Sequence, residues 1–582
     1  MNLRTLVARS LRFHWRSHLG VVLGAAVATT VLVGALVVGD SVRWSLRRMA
    51  LARLGKTELA LVAPERFVRP ALAEELSGEC AAPAAAVLQV RGMAARLDGA
   101  ARVTDVQVLG VDEHFWAMGD ARPPLAAGSK AAAVINERTA RALRVKAGDR
   151  IFVRLQKPTA VSLDVPFSGE TEGAEGYHLP VTAVASDSGA GRFSLAANQV
   201  PPYNVFVPMG WLQEQLDLAG KANVLLLGAP TPGKGARSVS EALAKAFQLA
   251  DAEHEVRPVP GQDAAEIRTT RVFLDPPVVR AAAEAKPDAV GVLTYLVNEL
   301  RVGDKTTPYS MVTAIGPLGP AKSAAAEAYA ARILPADMAD DQIVINSWLA
   351  DDLAAKVGDD LTLVYFVPGP MRRLTETSRT FRIRAVVPTE AAPGDRTLMP
   401  DFPGLSDVDN CRDWEPGFSL DREIRPKDQA YWETYRGTPK AFVTLAAGRK
   451  MWKNRFGDLT AVRFPGASRA DVERAILGHL DPADLGLYFQ PVRERALAAS
   501  GQALDFGQLF LGLSFFLIVA ALVLTGLLFA LGAEQRARET GTLLAVGFPP
   551  KRVRRLMLAE GAALVLVGAA AGTVGGVVYT WV

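Results

Sequence analysis

Cysteine and histidine are both scarce in this chain of 582 residues, with two of the first and six of the second. Cys80 and Cys411 could form one bridge, but two cysteines cannot make a disulfide scaffold, and these two fall in different parts of the sequence. His14, His18, His114, His178, His254 and His479 are scattered without ligand spacing, which argues against a structural zinc site. Charge of one sign is lacking as well. Sixty-five Lys and Arg against 61 Asp and Glu leave a net charge of +4, too little to draw nucleic acid. Catalytic arrangements are missing too: no Ser/His/Asp set and no paired carboxylates stand out. The stretch Gly316-Pro317-Leu318-Gly319-Pro320-Ala321-Lys322-Ser323 comes near a phosphate loop. It fails at Ala321, where glycine is needed for the backbone to wrap a phosphate. Asp251, Glu253, His254 and Glu255 cluster, and read as a solvated helix-to-strand turn. No catalytic, metal or cofactor site is expected.

What the chain does have is three apolar runs, Leu19–Val38, Leu509–Leu531 and Leu556–Val582. Each is long enough to cross the roughly 30 Å hydrocarbon core of a bilayer as a helix. The second and third are joined by a loop carrying Arg536, Arg538, Lys551, Arg552, Arg554 and Arg555. Short loops rich in Lys and Arg stay in the cytoplasm, so the N-terminus is expected inside and the long polar segment outside. The first run is too long for a signal-peptide core, and no small-x-small cleavage site follows it. Residues 2–16 read as an amphipathic helix lying in the inner interface, with Leu3, Leu6, Val7, Ser10, Leu11 and His14 on one face. Arg4, Arg9, Arg12 and Arg16 then meet membrane lipid. A plain cytoplasmic extension of the first span is the other reading.

The polar segment repeats itself. Val134-Ile135-Asn136, Ala140, Leu143, Lys146, Gly148 and Asp149 recur without a gap as Val344-Ile345-Asn346, Ala350, Leu353, Lys356, Gly358 and Asp359. So many identities over so short a window point to an internal duplication. Each copy reads as a buried strand, a helix capped by Asn, a Gly-Asp turn and a second strand, Ile151–Leu155 or Leu361–Phe366. Weaker correspondences flank the copies. Val106–Gly110 and Val312–Gly316 precede them. Val181–Val184 and Phe381–Val387 follow, then Val205–Val207 and Phe442–Thr444. Last come Val224–Leu227 and Ala461–Phe464, each leading to a helix near Ser238 or Ser468. Ser468 with Asp471 reads as an N-cap with an acidic first turn. The expected fold class is a membrane protein with α-helical transmembrane spans and a large α+β extracytoplasmic domain built from two related modules. The second copy carries an insertion from about Pro393 to Pro439, rich in Pro, Asp and aromatics. It is either functional or a packed surface elaboration.

The expected order is an interfacial helix (1–18), a first span (19–38), module A (39–262), module B (263–505), a second span (509–531), a hairpin (532–555) and a third span (556–582). Small residues recur four apart at Gly20 and Gly24, and at Gly568, Gly572 and Gly576. That spacing lets helices approach closely, so these spans are expected to pack on partner helices. In the hairpin, Gly547 and Pro549-Pro550 end one helix and start the next. Apolar Leu543, Leu544 and Val546 lie among charges, as in a short helix that docks into a groove.

Glu534-Gln535-Arg536-Ala537-Arg538-Glu539-Thr540-Gly541, followed by Ala545, Gly547 and Glu560, resembles the hairpin of the FtsX-like, or MacB-like, permease family of ABC transporters. Thr540 stands where isoleucine is usual, and Leu544 where arginine is frequent. The Val-Ile-Asn…Gly-Asp copies resemble that family's periplasmic core. The resemblance implies a multi-pass permease subunit in a bacterial cytoplasmic membrane, with no enzymatic site of its own. A separate cytoplasmic ATPase would bind Glu534, Arg536, Arg538, Glu539, Gly541, Leu543, Leu544, Val546 and Gly547, and a second permease copy or homologue would complete the machine. Its work would be export or extraction of a lipoprotein, peptide or amphiphile on the outer side. A receptor or regulator of cell-envelope enzymes, using the external domain as sensor, is the alternative. The family's transmembrane unit has four spans, so a chain with three is expected to be an N-terminal part of a longer permease, or the product of a split or truncated gene.

Overall fold

The computed structural model describes residues 3–119, 131–157, 175–187, 190–196, 200–230, 238–319, 323–369, 374–390, 395–402, 404–406, 408–502 and 506–581. The expectations at Pro320, Ala321 and Lys322 of the phosphate-loop lookalike, and at the start of the insertion, lie outside these residues. The chain divides into two units. One comprises Met1–Leu54, Ser194–Val200 and Arg493–Val582; the other comprises Gly55–Phe193 and Pro201–Val492.

Among the described residues of the first unit, three helices are long and apolar enough to cross a membrane: Trp15–Leu54, Ser514–Gln535 within Phe506–Gln535, and Pro550–Trp581. The first runs past the apolar stretch that marks it in the sequence. Beyond Gly39 the chain has neither Pro nor Gly before Gly55, so nothing stops the helix. At 1.5 Å per residue it is about 60 Å long. Residues 39–54, assigned to module A from sequence, are therefore a continuation of the first long helix. A turn at His14 separates it from the N-terminal helix Leu3–Phe13, so 14–18 belong to the long helix or its start, not to an interfacial helix ending at 18.

The second unit holds two sheets. The first contains β1 (Thr57–Val62), β2 (Ala84–Arg96), β3 (Arg102–Val111), β4 (Ala133–Asn136), β5 (Arg150–Leu155), β6 (Gly176–Ala185), β7 (Tyr203–Pro208) and β8 (Val224–Gly228). The second contains β9 (His254–Pro258), β10 (Ala264–Thr269), β11 (Val290–Val302), β12 (Lys305–Pro317), β13 (Gln342–Asn346), β14 (Asp360–Pro368), β15 (Leu374–Val387), β16 (Ala441–Thr444) and β17 (Ala461–Pro465). The first runs β1-β8-β2-β3-β7-β4-β6-β5, and β5 closes back onto β2. The second repeats this order as β10-β17-β11-β12-β16-β13-β15-β14, closes β14 onto β11, and adds β9 at the edge. Both are mixed sheets curled into a six-strand ring, with an extension of two strands in the first and, counting β9, three in the second. Because β9 pairs with β10, residues 254–258 belong to the second sheet, although the sequence reading placed them in module A.

The repeated sequence folds twice into one geometry. Asn136 has φ −80° and ψ 164°, and Asn346 has φ −80° and ψ 162°. Each caps its helix by accepting from Thr139 N (3.0 Å) or Leu349 N (2.8 Å). Arg144 and Ala354 end the helices at φ 55° and 51°. Gly148 and Gly358 follow at φ 96° and 97°, a backbone that disfavours any other residue. Asp149 and Asp359 then accept from the Lys146 and Lys356 amides at 2.8 and 2.7 Å. Three of the shared residue types, Asn, Gly and Asp, are thus explained by a cap, a positive φ and a turn bond.

The flanks need a correction. Val134 pairs with Phe206, and Val344 with Phe442, so Phe206 and Phe442 are equivalent. Through β3 and β12 this makes Gly110 equivalent to Ala314, not to Gly316. The two glycines mark strand ends but not one structural position. The insertion is packed, not loose: Phe402, Leu405, Cys411, Tyr431 and Trp432 are buried, and Pro426–Tyr435 is helical. Cys80 and Cys411 are free and buried.

The acidic cluster near 251–255 also departs from expectation. Asp251, Glu253 and His254 are buried where the two sheet modules meet, not solvated. Arg69 holds Asp251 at 2.9 Å; Lys221 and Arg271 approach Glu253 at 3.8 and 3.5 Å; Arg66 forks onto Asp275, which lies 3.6 Å from His254. Basic residues distant in sequence make burial of these acids tolerable.

Candidate functional site

The hairpin begins where the helix Phe506–Gln535 ends. Arg536 sits in the turn, the short helix Ala537–Ala545 follows, and Pro550 opens the helix that runs to Trp581. Gly547, at φ 96°, ends the short helix, with its own N–H on Leu544 O and that of Phe548 on Leu543 O. This pair of bonds is the Schellman arrangement, and it explains why glycine stands there.

The root of the hairpin is clamped. Arg536 reaches the Glu560 carboxylate at 2.5 Å, Glu539 at 3.0 Å and Ser10 Oγ at 2.8 Å. His14 Nε2 lies 3.2 Å from Glu539. Burial works against both charges of the turn, but the hydrogen bonds between them prevail, so Arg536 is raised and Glu539 held below the usual carboxylate range. Glu560 is only 2% exposed. An acid in an apolar helix needs a partner, and Arg536 is the one the fold supplies. Sequence reasoning offered Glu539 to an external groove; the structure uses it internally. It also missed Ser10 and His14 as clamp residues. The one signal was that both share the covered face of the N-terminal helix with Leu6, Val7 and Leu11.

Beyond its root the short helix touches little, and none of its residues is buried. Glu534 and Arg538 are exposed, and Leu543 is half-buried. Leu544 and Val546 are 42% and 73% exposed. A Cβ at Gly541 would meet nothing, so no contact within the chain requires that glycine. Lys551, Arg552, Arg554 and Arg555 continue the exposed basic surface.

The small residues predicted to pack do so within the chain. A Cβ on Gly568 would lie 2.7 Å from Val22 O, one on Gly572 would collide with Ala26 O, and one on Gly576 would lie 3.0 Å from Val33 Cβ. Gly24 faces Thr525, with 2.6 Å from its Cβ position to the hydroxyl, and Gly20 faces Leu528. Thr30 Oγ1 donates to Gly572 O at 3.1 Å. The glycine stripe seats the third long helix on the first, so it is spent on this contact and not on a partner's helix.

Comparison with known proteins agrees with both halves of this description. Residues 511–582 match the FtsX-like permease C-terminal family, and residues 19–246 match the MacB-like periplasmic core domain. No curated protein matches the sequence. Among solved structures, the periplasmic region of MacB from Actinobacillus actinomycetemcomitans is 10% identical, covering 34% of this chain and 86% of that one, at a TM-score of 0.23. The extracellular domain of the noncanonic ABC-type transporter YknZ from Gram-positive bacteria is 11% identical, covering 33% and 89%, at a TM-score of 0.21.

Proposed function

Because the chain belongs to the MacB/FtsX-like permease family of ABC-type transporters, we propose that it couples a cytoplasmic ATPase to work done by its extracytoplasmic modules. The short helix Ala537–Ala545 is the docking element. Its exposed apolar edge, Leu544 and Val546, enters a groove of the ATPase, with Gly541 permitting close approach. One observation carries this reading: the helix is bare over its length yet clamped at its root by Arg536, Glu539, Glu560 and His14. A merely solvated turn needs neither the apolar edge nor the clamp.

The glycine-packed helices form a body on which the hairpin can act as a lever. The first of them runs unbroken to Leu54, and β1 begins at Thr57. The orientation follows from the basic hairpin, with the hairpin inside and the sheet modules outside. Export or extraction of a lipoprotein, peptide or amphiphile on the outer side is the work proposed.

The test separates docking from clamping. Leu544→Asp and Gly541→Trp are expected to weaken ATPase binding at least tenfold, with expression and membrane insertion unchanged; a tenfold loss is about 1.4 kcal/mol. Arg536→Gln is expected to leave binding in place but lower transport-linked ATPase stimulation. Full binding and stimulation in all three variants would sink the proposal.

A further inference from the structure

The apolar side of the N-terminal helix Leu3–Phe13 is turned inward. Leu6, Val7, Ser10, Leu11 and His14 are half-buried, because the helix packs on Pro550–Trp581 and gives Ser10 to Arg536 and His14 to Glu539. The opposite side stands exposed: Arg9, Arg12 and Phe13, then Trp15 and Arg16 past the turn. We propose that this cationic and aromatic side binds an anionic phospholipid, with the headgroup phosphate among the arginines and the acyl chains along the first long helix. The proposal rests on the long helices crossing a membrane and does not depend on ATPase docking.

The arginines are open to a phosphate. The two acids at the root of the hairpin are taken, Glu539 by His14 and Arg536, and Glu560 by Arg536. Among the described residues no carboxylate pairs with Arg9, Arg12 or Arg16. Arg16 has the Trp15 ring beside it, 5.5 Å from the ring centre. A guanidinium matches the oxygens of a phosphate in geometry as well as in charge.

Directly after the arginines the exposed surface turns apolar. Trp15, Leu19, Leu23 and Val27 are each more than half exposed. Their spacing of four keeps successive members on one side of the helix. Arginine, then tryptophan at the boundary, then aliphatic side chains is the profile that a phospholipid presents in reverse: phosphate, interface and acyl chain. An acidic protein surface would meet the arginines but leave the apolar row bare; a lipid covers both. A zwitterionic headgroup carries its own cation, which competes with the arginines for its phosphate. An anionic headgroup does not, and it adds the attraction of its net charge.

The test uses the full chain in phosphatidylcholine nanodiscs that hold a minor fraction of one acyl-brominated lipid, phosphatidylglycerol in one series and phosphatidylcholine in the other. Bromine quenches tryptophan on contact, and the signal of Trp15 is the difference between the native chain and Trp15→Phe. Brominated phosphatidylglycerol is expected to quench Trp15 about fivefold more effectively than brominated phosphatidylcholine at equal fraction, the gain from one arginine at an anionic surface. Raising salt from about 0.05 to about 0.5 M should at least halve the preference, by screening. Arg9→Gln with Arg12→Gln and Arg16→Gln should abolish it and leave quenching by phosphatidylcholine unchanged. Arg9→Lys with Arg12→Lys and Arg16→Lys, which keeps the charge, should retain it. Equal quenching by the two lipids in the native chain, or a preference lost from the lysine variant as well, would overturn the proposal. So would a preference that survives the glutamine variant; loss of ATPase binding in that variant would then assign the arginines to the ATPase. A chain that fails to enter the discs removes the membrane-spanning premise, and the proposal with it.

Discussion

Where Ala60 faces Leu226 across β1 and β8 in the first module, Glu266 faces Arg463 across β10 and β17 in the second. All four residues are essentially inaccessible. One module fills the position with apolar atoms; the other fills it with an ion pair at 2.7 Å, extended to Asp395 at 2.6 Å and Thr397 Oγ1 at 2.8 Å. Asp395 and Thr397 come from the insertion that the first module lacks. A buried pair is weak evidence of net stability. Its use here is positional: the guanidinium tells the added segment where to dock. A second contrast concerns close packing. Gly110 meets Leu212 in the first module, and at the equivalent place Ala314 meets Gly448 in the second. Helix and strand come so near that one side must be glycine, and the two modules chose opposite sides.

The strongest way to break this comparison is to give the second module the residue of the first at one place only. Arg463→Leu leaves Glu266 and Asp395 buried without their partner and is expected to cost about 3–5 kcal/mol, read as a lower denaturation midpoint. Adding Glu266→Ala and Asp395→Asn should recover most of that loss. A neutral Arg463→Leu would show that the network anchors nothing.

The added edge strand β9 offers the next test. It buries His254, and burial draws that imidazole down to about 4, with Asp275 opposing the shift. Between pH 6.5 and 4 the unfolded chain binds a proton that the folded chain refuses. Stability is therefore fully present above 6.5 and falls as pH drops through this window, by about 3 kcal/mol from this group. Glu253 acts in the opposite sense, because burial raises its pKa. The measurement is thus the difference between the native chain and His254→Gln at each pH. Parallel curves from pH 7.5 to 4.5 would refute the role given to His254.

The smallest effect is expected at the glycine contacts. Gly448→Ala drives a Cβ into that of Ala314 and should cost about 1–3 kcal/mol. Ala314→Gly in the same chain should restore part of it. Gly110→Ala meets the flexible end of Leu212 at 2.9 Å and should cost less. Equal losses at the two sites would mean that the modules do not mirror each other here.

The duplicated core was legible because its chemistry is local. Asn136 and Asn346 cap within three residues, and Gly148 and Gly358 need a backbone that few residues adopt. The apolar helices were legible because their composition alone excludes water. The clamp was not. Arg536, Ser10 and Glu560 come together through folding of segments at opposite ends of the chain, and no spacing encodes that. The acids near residue 253 were misread for the same reason. Their polarity suggested solvent, while the arginines that let them be buried lie at 66, 69 and 271.

By itself the sequence determined the apolar helices, the basic hairpin with its Gly-Pro punctuation, and the twice-used cap and turn. Each of these depends on short-range sterics or on composition. Only the tertiary structure decided that both sheets close into the same ring and that the glycine stripe is filled by the chain's own first helix. It alone turned the apolar side of the N-terminal helix onto the third long helix and left the arginines outside. Those outcomes depend on which distant surfaces meet, and a surface acquires its partner only when the chain has folded.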